Sequence, residues 1–176
     1  MDIIIPTYGR ASKQETARWL DHAGIEYSIV VQRREVEEYN NIGSIKNIYV
    51  LPDEIRTIAP TRQWILHNVG ADPHICMLDD DLVFYRRRDD DPTKLRDIED
   101  WELRNMFTTM DINLAHTPHV GIAAREGANR NTDVFMNNTR IMRVLGYNRD
   151  VLKKEHICFD EMEVMEDFHV ALTLLE

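Results

Sequence analysis

Cysteine is scarce in this 176-residue sequence, which contains only Cys76 and Cys158 and no Cys-x-x-Cys pair. Two cysteines cannot supply a disulfide framework, which excludes the small disulfide-stapled class of proteins. Both residues lie in apolar surroundings. We therefore expect buried free thiols, as is usual in a reducing cytoplasm.

Long apolar runs are also missing, and glycine and proline are few. No run approaches the roughly 18 residues that a membrane helix requires, and the apolar stretch at the start is too short for a signal peptide. With 7 glycines, 6 prolines and 43% hydrophobic residues, the composition is typical of a globular protein, not of a disordered or collagen-like chain. We predict a single cytoplasmic domain over residues 1–176, with no membrane partner.

Basic residues are outnumbered by acidic ones. Lysine and arginine total 21 and aspartate and glutamate total 31, so the formal net charge is −10. A protein that coats nucleic acid by neutralising phosphates should have the opposite balance. The composition therefore disfavours a general nucleic-acid coating role and an anionic membrane surface, but it is compatible with a local basic groove.

Short apolar runs that alternate with helical patterns predict an α/β fold. The predicted strands cover residues 2–5, 27–31, 47–51, 74–78 and 120–124, with a further candidate over 140–145. This alternation is typical of a mainly parallel, twisted sheet with helices on both faces.

Apolar residues at helical spacing predict the helices between these strands. The first helix carries Ala17, Leu20 and Ala23 on one face, and Ser12 with Glu15 fits a capping box at its start. Further helices are expected over 35–39, from about 60 to 69, from about 97 to 114, and over 165–175.

An acidic triplet directly follows the fourth predicted strand. Asp79 and Asp81 should face the same way, because side chains alternate along an extended segment, while Asp80 faces elsewhere. Ligands bind at the carboxyl ends of strands in open parallel sheets, and paired carboxylates are hard oxygen ligands for Mg²⁺ or Mn²⁺. Such a metal typically also holds a diphosphate. The alternative is a solvated acidic turn, which the position after a buried strand disfavours.

A second acidic run, residues 89–91, follows the arginine run 86–88. No apolar strand precedes it, so we expect the two opposite charge blocks to form a solvated loop that is partly self-paired. A lid beside the active site is the functional alternative.

Four segments, in order along the chain, resemble glycosyltransferases of the A-type fold, which is Rossmann-like. They are residues 3–10 (Ile-Ile-Ile-Pro-Thr-Tyr-Gly-Arg), 61–65 (Thr-Arg-Gln-Trp-Ile), 77–81 (Met-Leu-Asp-Asp-Asp) and 164–169 (Val-Met-Glu-Asp-Phe-His). Within that fold the pattern is most similar to phage TET-associated glycosyltransferases, which are thought to modify hydroxymethylated bases in DNA. A phage enzyme of this kind would act in the host cytoplasm.

The resemblance implies a nucleotide-sugar donor, a UDP- or GDP-sugar, and Mn²⁺ or Mg²⁺ as cofactor. It also implies a role for each site residue. Asp79 and Asp81 bind the metal, Asp80 contacts the ribose or sugar, Arg62 faces the donor diphosphate, and the nucleoside pocket contains Pro6, Thr7, Tyr8 and Arg10. Asp167, with Glu166, is the candidate for general base or for orienting the acceptor hydroxyl, although both acids could simply complement a helix N-terminus. His169 could reach a phosphate or the metal, but a single histidine is more often structural.

If DNA is the acceptor, it should lie along the arginines of the stretch 125–149 and of the run 86–88. The stretch contains five arginines against Glu126 and Asp133, a local excess of +3, with asparagines between them. The resemblance implies that residues 1–85 bind the donor and residues 86–176 bind the acceptor.

Two other functions are open at the level of sequence. Asp79-x-Asp81 after an apolar strand also fits a haloacid-dehalogenase-like phosphatase, in which one carboxylate is phosphorylated and the other is the acid/base. That motif usually follows the first strand, whereas three strand-helix units precede it here. A non-catalytic interaction module is the second alternative. A sugar nucleotidyltransferase is disfavoured, because the first loop lacks a glycine-rich run.

Overall fold

The structure is a computed structural model that describes residues 1–43, 45–125, 133, 135–139 and 141–175. Six strands form one sheet in the order β3-β2-β1-β4-β8-β7, and β5 pairs with β6 in a separate antiparallel hairpin. The strands are β1 (Asp2–Pro6), β2 (Ser28–Gln32), β3 (Ile48–Leu51), β4 (His74–Leu78), β5 (Tyr85–Arg87), β6 (Leu95–Asp97), β7 (His119–Gly121) and β8 (Val144–Asn148).

Strands β1 to β4 are mutually parallel, and β8 runs antiparallel to β4 and to β7. The helices among the described residues are α1 (Glu15–His22), α2 (Val36–Asn40), α3 (Ile58–Asn68), α4 (Asp100–Leu114), α5 (Arg149–Lys154) and α6 (Glu166–Thr173), with 3₁₀ turns over Ala11–Lys13 and Arg33–Glu35. The predicted α/β class with a mainly parallel sheet is confirmed. None of the helices in the described part of the chain is long and apolar enough to cross a bilayer.

Alternating side chains of the sheet build a core on each of its faces. Ile3 and Ile5 of β1 pack with α1 and α4, whereas Ile4 packs on the opposite face with α3, α5 and α6. Because both faces are covered, the central strands are apolar throughout, which is why their sequences read as continuous hydrophobic runs.

The predicted capping box of α1 is wrong. Ser12 lies in a 3₁₀ turn, and Gln14 occupies the N-cap position without a side-chain capping bond. The Gln14 amide instead donates to the Thr7 hydroxyl at 2.9 Å and to the Arg10 carbonyl at 3.0 Å. A buried tertiary contact therefore takes the place of the local cap.

Three further expectations need correction. Cys76 is buried, as expected, and burial raises the pKa of its thiol. Cys158, which was also expected to be buried, is only half-buried. The strand predicted over 120–124 is β7, which ends at Gly121, and the one predicted over 140–145 is β8, which begins only at Val144. Position 140 itself lies outside the described residues.

Arg149 is not available to DNA, contrary to the expectation for the basic stretch. Its guanidinium is buried, lies 3.3 Å from Asp2 Oδ2 and donates to the Val69 carbonyl at 2.8 Å. Burial lowers the pKa of Arg149 despite these partners. The residue therefore joins the start of β1 to the loop after α3.

Candidate active site at the carboxyl end of the sheet

The acidic triplet leaves the sheet at the end of β4, next to the loop that follows β1. Its backbone is fixed by Thr16 of α1, whose hydroxyl donates to the Asp79 carbonyl at 2.6 Å and accepts from the Leu82 amide at 2.8 Å. The Thr16 amide in turn donates to the Asp80 carbonyl at 3.1 Å. Helix α1 thus sets the direction in which the three carboxylates point.

Asp80 is the buried member of the triplet. Its carboxylate accepts a hydrogen bond of 2.6 Å from the Thr7 hydroxyl and one of 2.8 Å from Arg10 Nη1. Since the Thr7 proton goes to Asp80, the Tyr39 hydroxyl, 2.9 Å away, donates to Thr7. Burial raises the pKa of Tyr39, which keeps that hydroxyl protonated.

Asp79 lies partly buried in front of α3, with Oδ1 at 3.7 Å from Arg62 Nη2. Burial raises the pKa of the Asp79 carboxyl to about 6, and repulsion from Asp81 and Asp80 adds to the rise, against the lowering by Arg62 and Arg143. A group whose charge is disfavoured by burial and by neighbouring carboxylates gains stability from a cation. These oxygen ligands therefore fit a hard divalent metal.

Asp81 is half exposed and has an arginine at each oxygen. Arg10 Nη1 lies 3.0 Å from Oδ2, and Arg143 Nη1 lies 4.0 Å from Oδ1. The guanidinium of Arg10, a residue predicted for the nucleoside pocket, thus lies at the triplet. Arg143 is predicted from sequence only as part of the basic stretch.

Arg62 is only 6% exposed and connects the triplet to α6. Its Nη1 donates to the buried carboxylate of Glu166, while its Nη2 faces Asp79. Its Nε has no hydrogen-bond partner among the described residues. Arg62 and Glu166, predicted from segments about 100 residues apart, therefore lie together beside Asp79.

Asp167 differs from Glu166, although the two are adjacent at the start of α6. Its carboxylate is largely buried and makes no hydrogen bond or ion pair with the residues that the structure describes. Its charge acts on His119 and Tyr147, whose rings stack at 4.3 Å. Burial lowers the pKa of His119 and raises that of Tyr147, so both are neutral next to the carboxylate.

The loop after β1 presents an exposed aromatic surface. Pro6 is the last residue of β1, and Tyr8 is 60% exposed with the Arg34 guanidinium 5.1 Å from its ring centroid. The Gly9 amide donates to Glu35 Oε1 at 2.6 Å, and Gly9 has a φ of +66°. Gly9 thus bends the loop towards the buried Glu35. No local sequence pattern indicates that Glu35 accepts this hydrogen bond from the loop.

Two further groups of titratable side chains lie outside the triplet and its arginines. His169 lies 2.9 Å from Glu161 on the surface, so its nearest partner is a carboxylate. Asp72, His74 and Asp111 bring three potential metal ligands within 4.8 Å of one another, but Asp72 is 2.9 Å from the amino group of Met1. This second group lies at the opposite end of β4, about 17 Å away at the usual rise per residue.

The 86–91 region is self-paired, as predicted. Arg86 and Arg87 belong to β5, and residues 88–91 lie in the predicted loop, which joins β5 to β6. Asp89 lies 3.0 Å from Arg86, and Asp90 lies 2.6 Å from Arg88. Arg86 also donates to Glu102 of α4. The contact between Arg86 and Glu102 connects the hairpin to α4.

Solved structures with a similar fold include two glycosyltransferases and a synthase. The mannosyltransferase PcManGT from Pyrobaculum calidifontis, in complex with GDP-Man and Mn²⁺, aligns with a TM-score of 0.62 at 14% identity, over 98% of this chain and 51% of that one. GlyE, a glycosyltransferase of Streptococcus pneumoniae TIGR4, aligns with 0.51 at 13%, over 99% and 43%. A 4-diphosphocytidyl-2C-methyl-D-erythritol synthase from Anaerococcus prevotii DSM 20548 aligns with 0.57 at 11%, over 99% and 84%.

At these identities the alignments show a shared fold, and the chain spans about half the length of the two glycosyltransferases. The search of curated proteins gave no significant match. The family model described as TET-Associated Glycosyltransferase matches residues 1–176, the whole chain. The chain therefore belongs to the TET-associated glycosyltransferase family.

Proposed function

We propose that this protein transfers a sugar from a UDP- or GDP-sugar to a hydroxyl acceptor with the help of Mn²⁺ or Mg²⁺. The observation that carries the proposal is the meeting of Asp79, Asp81, Arg62 and the start of α6 at the carboxyl end of a nucleotide-sugar transferase fold. Family membership supports glycosyl transfer over the phosphatase and interaction-module alternatives.

Asp79 and Asp81 would hold the metal, which supplies positive charge to the departing nucleoside diphosphate when bound. Asp80 is already engaged by Thr7 and is positioned to accept from a ribose or sugar hydroxyl through its remaining lone pairs. Pro6, Thr7 and Tyr8 form the loop that would enclose the nucleoside. The exposed Tyr8 ring offers a stacking surface for a base.

Asp167 is the better candidate for the group that takes the acceptor proton. It has no described partner, whereas Glu166 is held by Arg62. A base needs a lone pair that is not already committed to a cation. We therefore assign proton transfer to Asp167 and the positioning of Arg62 to Glu166.

The proposed acceptor is a hydroxymethylated pyrimidine in DNA, as the resemblance to phage TET-associated glycosyltransferases implies. Arg125 is the candidate DNA contact near the hairpin, since it is exposed and its guanidinium lies 5.3 Å from the Tyr85 ring centroid. The proposed division into a donor part (1–85) and an acceptor part (86–176) is not strict, because Arg143 and Glu166 reach the donor side.

The test is a panel of UDP- and GDP-sugars incubated with the protein, Mn²⁺ and oligonucleotides with and without 5-hydroxymethylpyrimidines, followed by mass spectrometry. We expect transfer to the hydroxymethylated oligonucleotide, and a loss of at least 100-fold in Asp79→Ala and in Asp81→Ala. Asp90→Ala is the matched control, because it removes an aspartate from the exposed second run.

Intact donor binding and transfer in both triplet variants would contradict the proposal. A covalent phosphate on Asp79 or Asp81 after treatment with a phosphodonor, without sugar transfer, would identify the phosphatase alternative instead.

A further inference from the structure

Arg10 stands between two carboxylates of the triplet. A single nitrogen, Nη1, lies 2.8 Å from Asp80 Oδ1 and 3.0 Å from Asp81 Oδ2. A cation is thus already present at Asp81, one of the two carboxylates proposed to hold the metal. Because a guanidinium and a divalent metal repel each other, each weakens the binding of the other when both contact the Asp81 carboxylate.

The three arginines of the site differ in their freedom to move. Arg62 is buried and held by Glu166, whereas the side chains of Arg10 and Arg143 are each 47% exposed. Arg143 is also farther from Asp81, at 4.0 Å. Arg10 is therefore the close partner of Asp81 whose own charge is already half exposed. Its departure also releases Asp80, whose carboxylate keeps the hydrogen bond from Thr7.

Space for that movement lies next to the residue. An open groove of about 440 Å³ is bounded by Arg10, Ser12, Lys13, Glu15, Arg18 and Asp81. Of its three basic side chains, Arg18 pairs with Glu15 and Arg10 with Asp81, while Lys13 has no ion pair with the described residues and is available to an anion. A guanidinium that rotates into this groove can form two parallel hydrogen bonds with phosphate oxygens. A carboxylate that binds a metal no longer accepts such a pair of bonds from it.

We propose that Arg10 pairs with the acidic triplet in the absence of metal, leaves Asp81 when the metal binds, and then binds the diphosphate of the donor. This inference rests on the proposed function. The metal and the nucleoside diphosphate then bind cooperatively, because the diphosphate replaces the carboxylate that Arg10 loses when the metal binds Asp81. By linkage, each ligand then raises the affinity of the other by the same factor.

The test measures Mn²⁺ binding by the paramagnetic resonance of free Mn²⁺, alone and with saturating UDP or GDP, in the wild type and in Arg10→Gln. Without nucleotide, we expect the variant to bind Mn²⁺ about three- to fivefold more tightly, since an exposed ion pair no longer competes. With Mn²⁺ present, its affinity for the nucleotide should fall about tenfold or more, because a charge-assisted bond to phosphate is lost.

Two further variants separate this role from general electrostatics. Arg10→Lys keeps a competing cation, so its affinity for Mn²⁺ alone should stay at the wild-type level, while nucleotide binding weakens because the two-pronged contact is lost. Arg18→Gln removes a charge from the same groove without touching the triplet, since Arg18 pairs with Glu15. We expect it to shift Mn²⁺ affinity by less than twofold.

Equal Mn²⁺ affinities of Arg10→Gln and wild type, or equal gains in Arg10→Gln and Arg18→Gln, would overturn the inference and leave the proposed function standing. If the wild-type protein failed to bind Mn²⁺ in the presence of UDP and also in the presence of GDP, both this inference and the proposed function would be overturned.

Discussion

At the residue scale, two adjacent acids at the start of α6 have opposite surroundings. Glu166 forms a buried ion pair with Arg62, whereas Asp167 is largely buried without a described partner. Removing one member of a buried pair leaves an uncompensated charge, which typically costs about 3–5 kcal/mol. Removing the charge of an unpaired buried carboxylate has no such cost.

Glu166→Gln should therefore lower stability by about 3 kcal/mol, while Asp167→Asn should leave it within about 1 kcal/mol of the wild type. For transfer activity we expect the reverse order at saturating donor, with Asp167→Asn reducing kcat by about 10²- to 10⁴-fold. Urea unfolding and initial-rate kinetics give the two quantities. An Asp167→Asn variant with wild-type kcat would exclude Asp167 as the base.

The residues identified from sequence are those with a local signal. Asp79, Asp80 and Asp81 are conspicuous because they directly follow a buried strand. Thr16 and Glu35 hold the same site, yet each contacts a residue distant in sequence, and nothing in its own neighbourhood indicates that contact. Arg10 was identified, but its direction was not, because sequence spacing does not show which of several acids a long side chain will meet.

At the element scale, predictability follows length and burial. Strand β4 was predicted with the observed bounds because it is a continuous apolar run with a charged end. The hairpin strands β5 and β6 have three residues each, two of them charged in each strand, so they are too short and too polar to show a strand pattern. Pairing between β5 and β6 creates these two strands. Helix α5, of six residues, was not predicted, although Asn148 caps it locally by accepting from the Val151 amide.

Glu102 connects the hairpin to α4. It accepts from Arg96 at 2.6 and 2.7 Å and from Arg86, and these bonds, led by Arg96, lower the pKa of Glu102 from 4.5 to about 2. A lowered native pKa means that the stabilisation is complete above about pH 4.5 and is lost as the pH falls through 2.

Glu102→Gln should therefore reduce Tm at pH 6, with a difference from the wild type that shrinks steadily between pH 4.5 and 2. Glutamine can still serve in the capping box with Glu99, so the substitution isolates the charge. Thermal unfolding at several pH values measures the difference, and trypsin cleavage at Arg86 and Arg96 should be faster in the variant. A difference that grows towards low pH would contradict the assigned role.

At the scale of the whole molecule, the net charge of −10 is distributed unevenly. Of the five arginines in the stretch 125–149, Arg149 is buried and Arg143 faces Asp81, while positions 130 and 140 lie outside the described residues. Arg88 of the hairpin is paired with Asp90. Few of the arginines proposed to contact DNA therefore remain for phosphates in the described part, and recognition of DNA should depend on the modified base more than on the backbone.

This distribution predicts a weak salt dependence for DNA binding. With two to three phosphate contacts, affinity for a hydroxymethylated duplex should fall about ten- to fortyfold between 50 and 200 mM salt, against the 10³- to 10⁵-fold of proteins that make six to ten contacts. Fluorescence anisotropy with matched modified and unmodified duplexes measures both the slope and the preference. Arg125→Gln should reduce the slope by about one unit, because it removes one phosphate contact. A slope of six or more, equal for the two duplexes, would show that the backbone is the recognised element and that the acidic surface does not limit DNA binding.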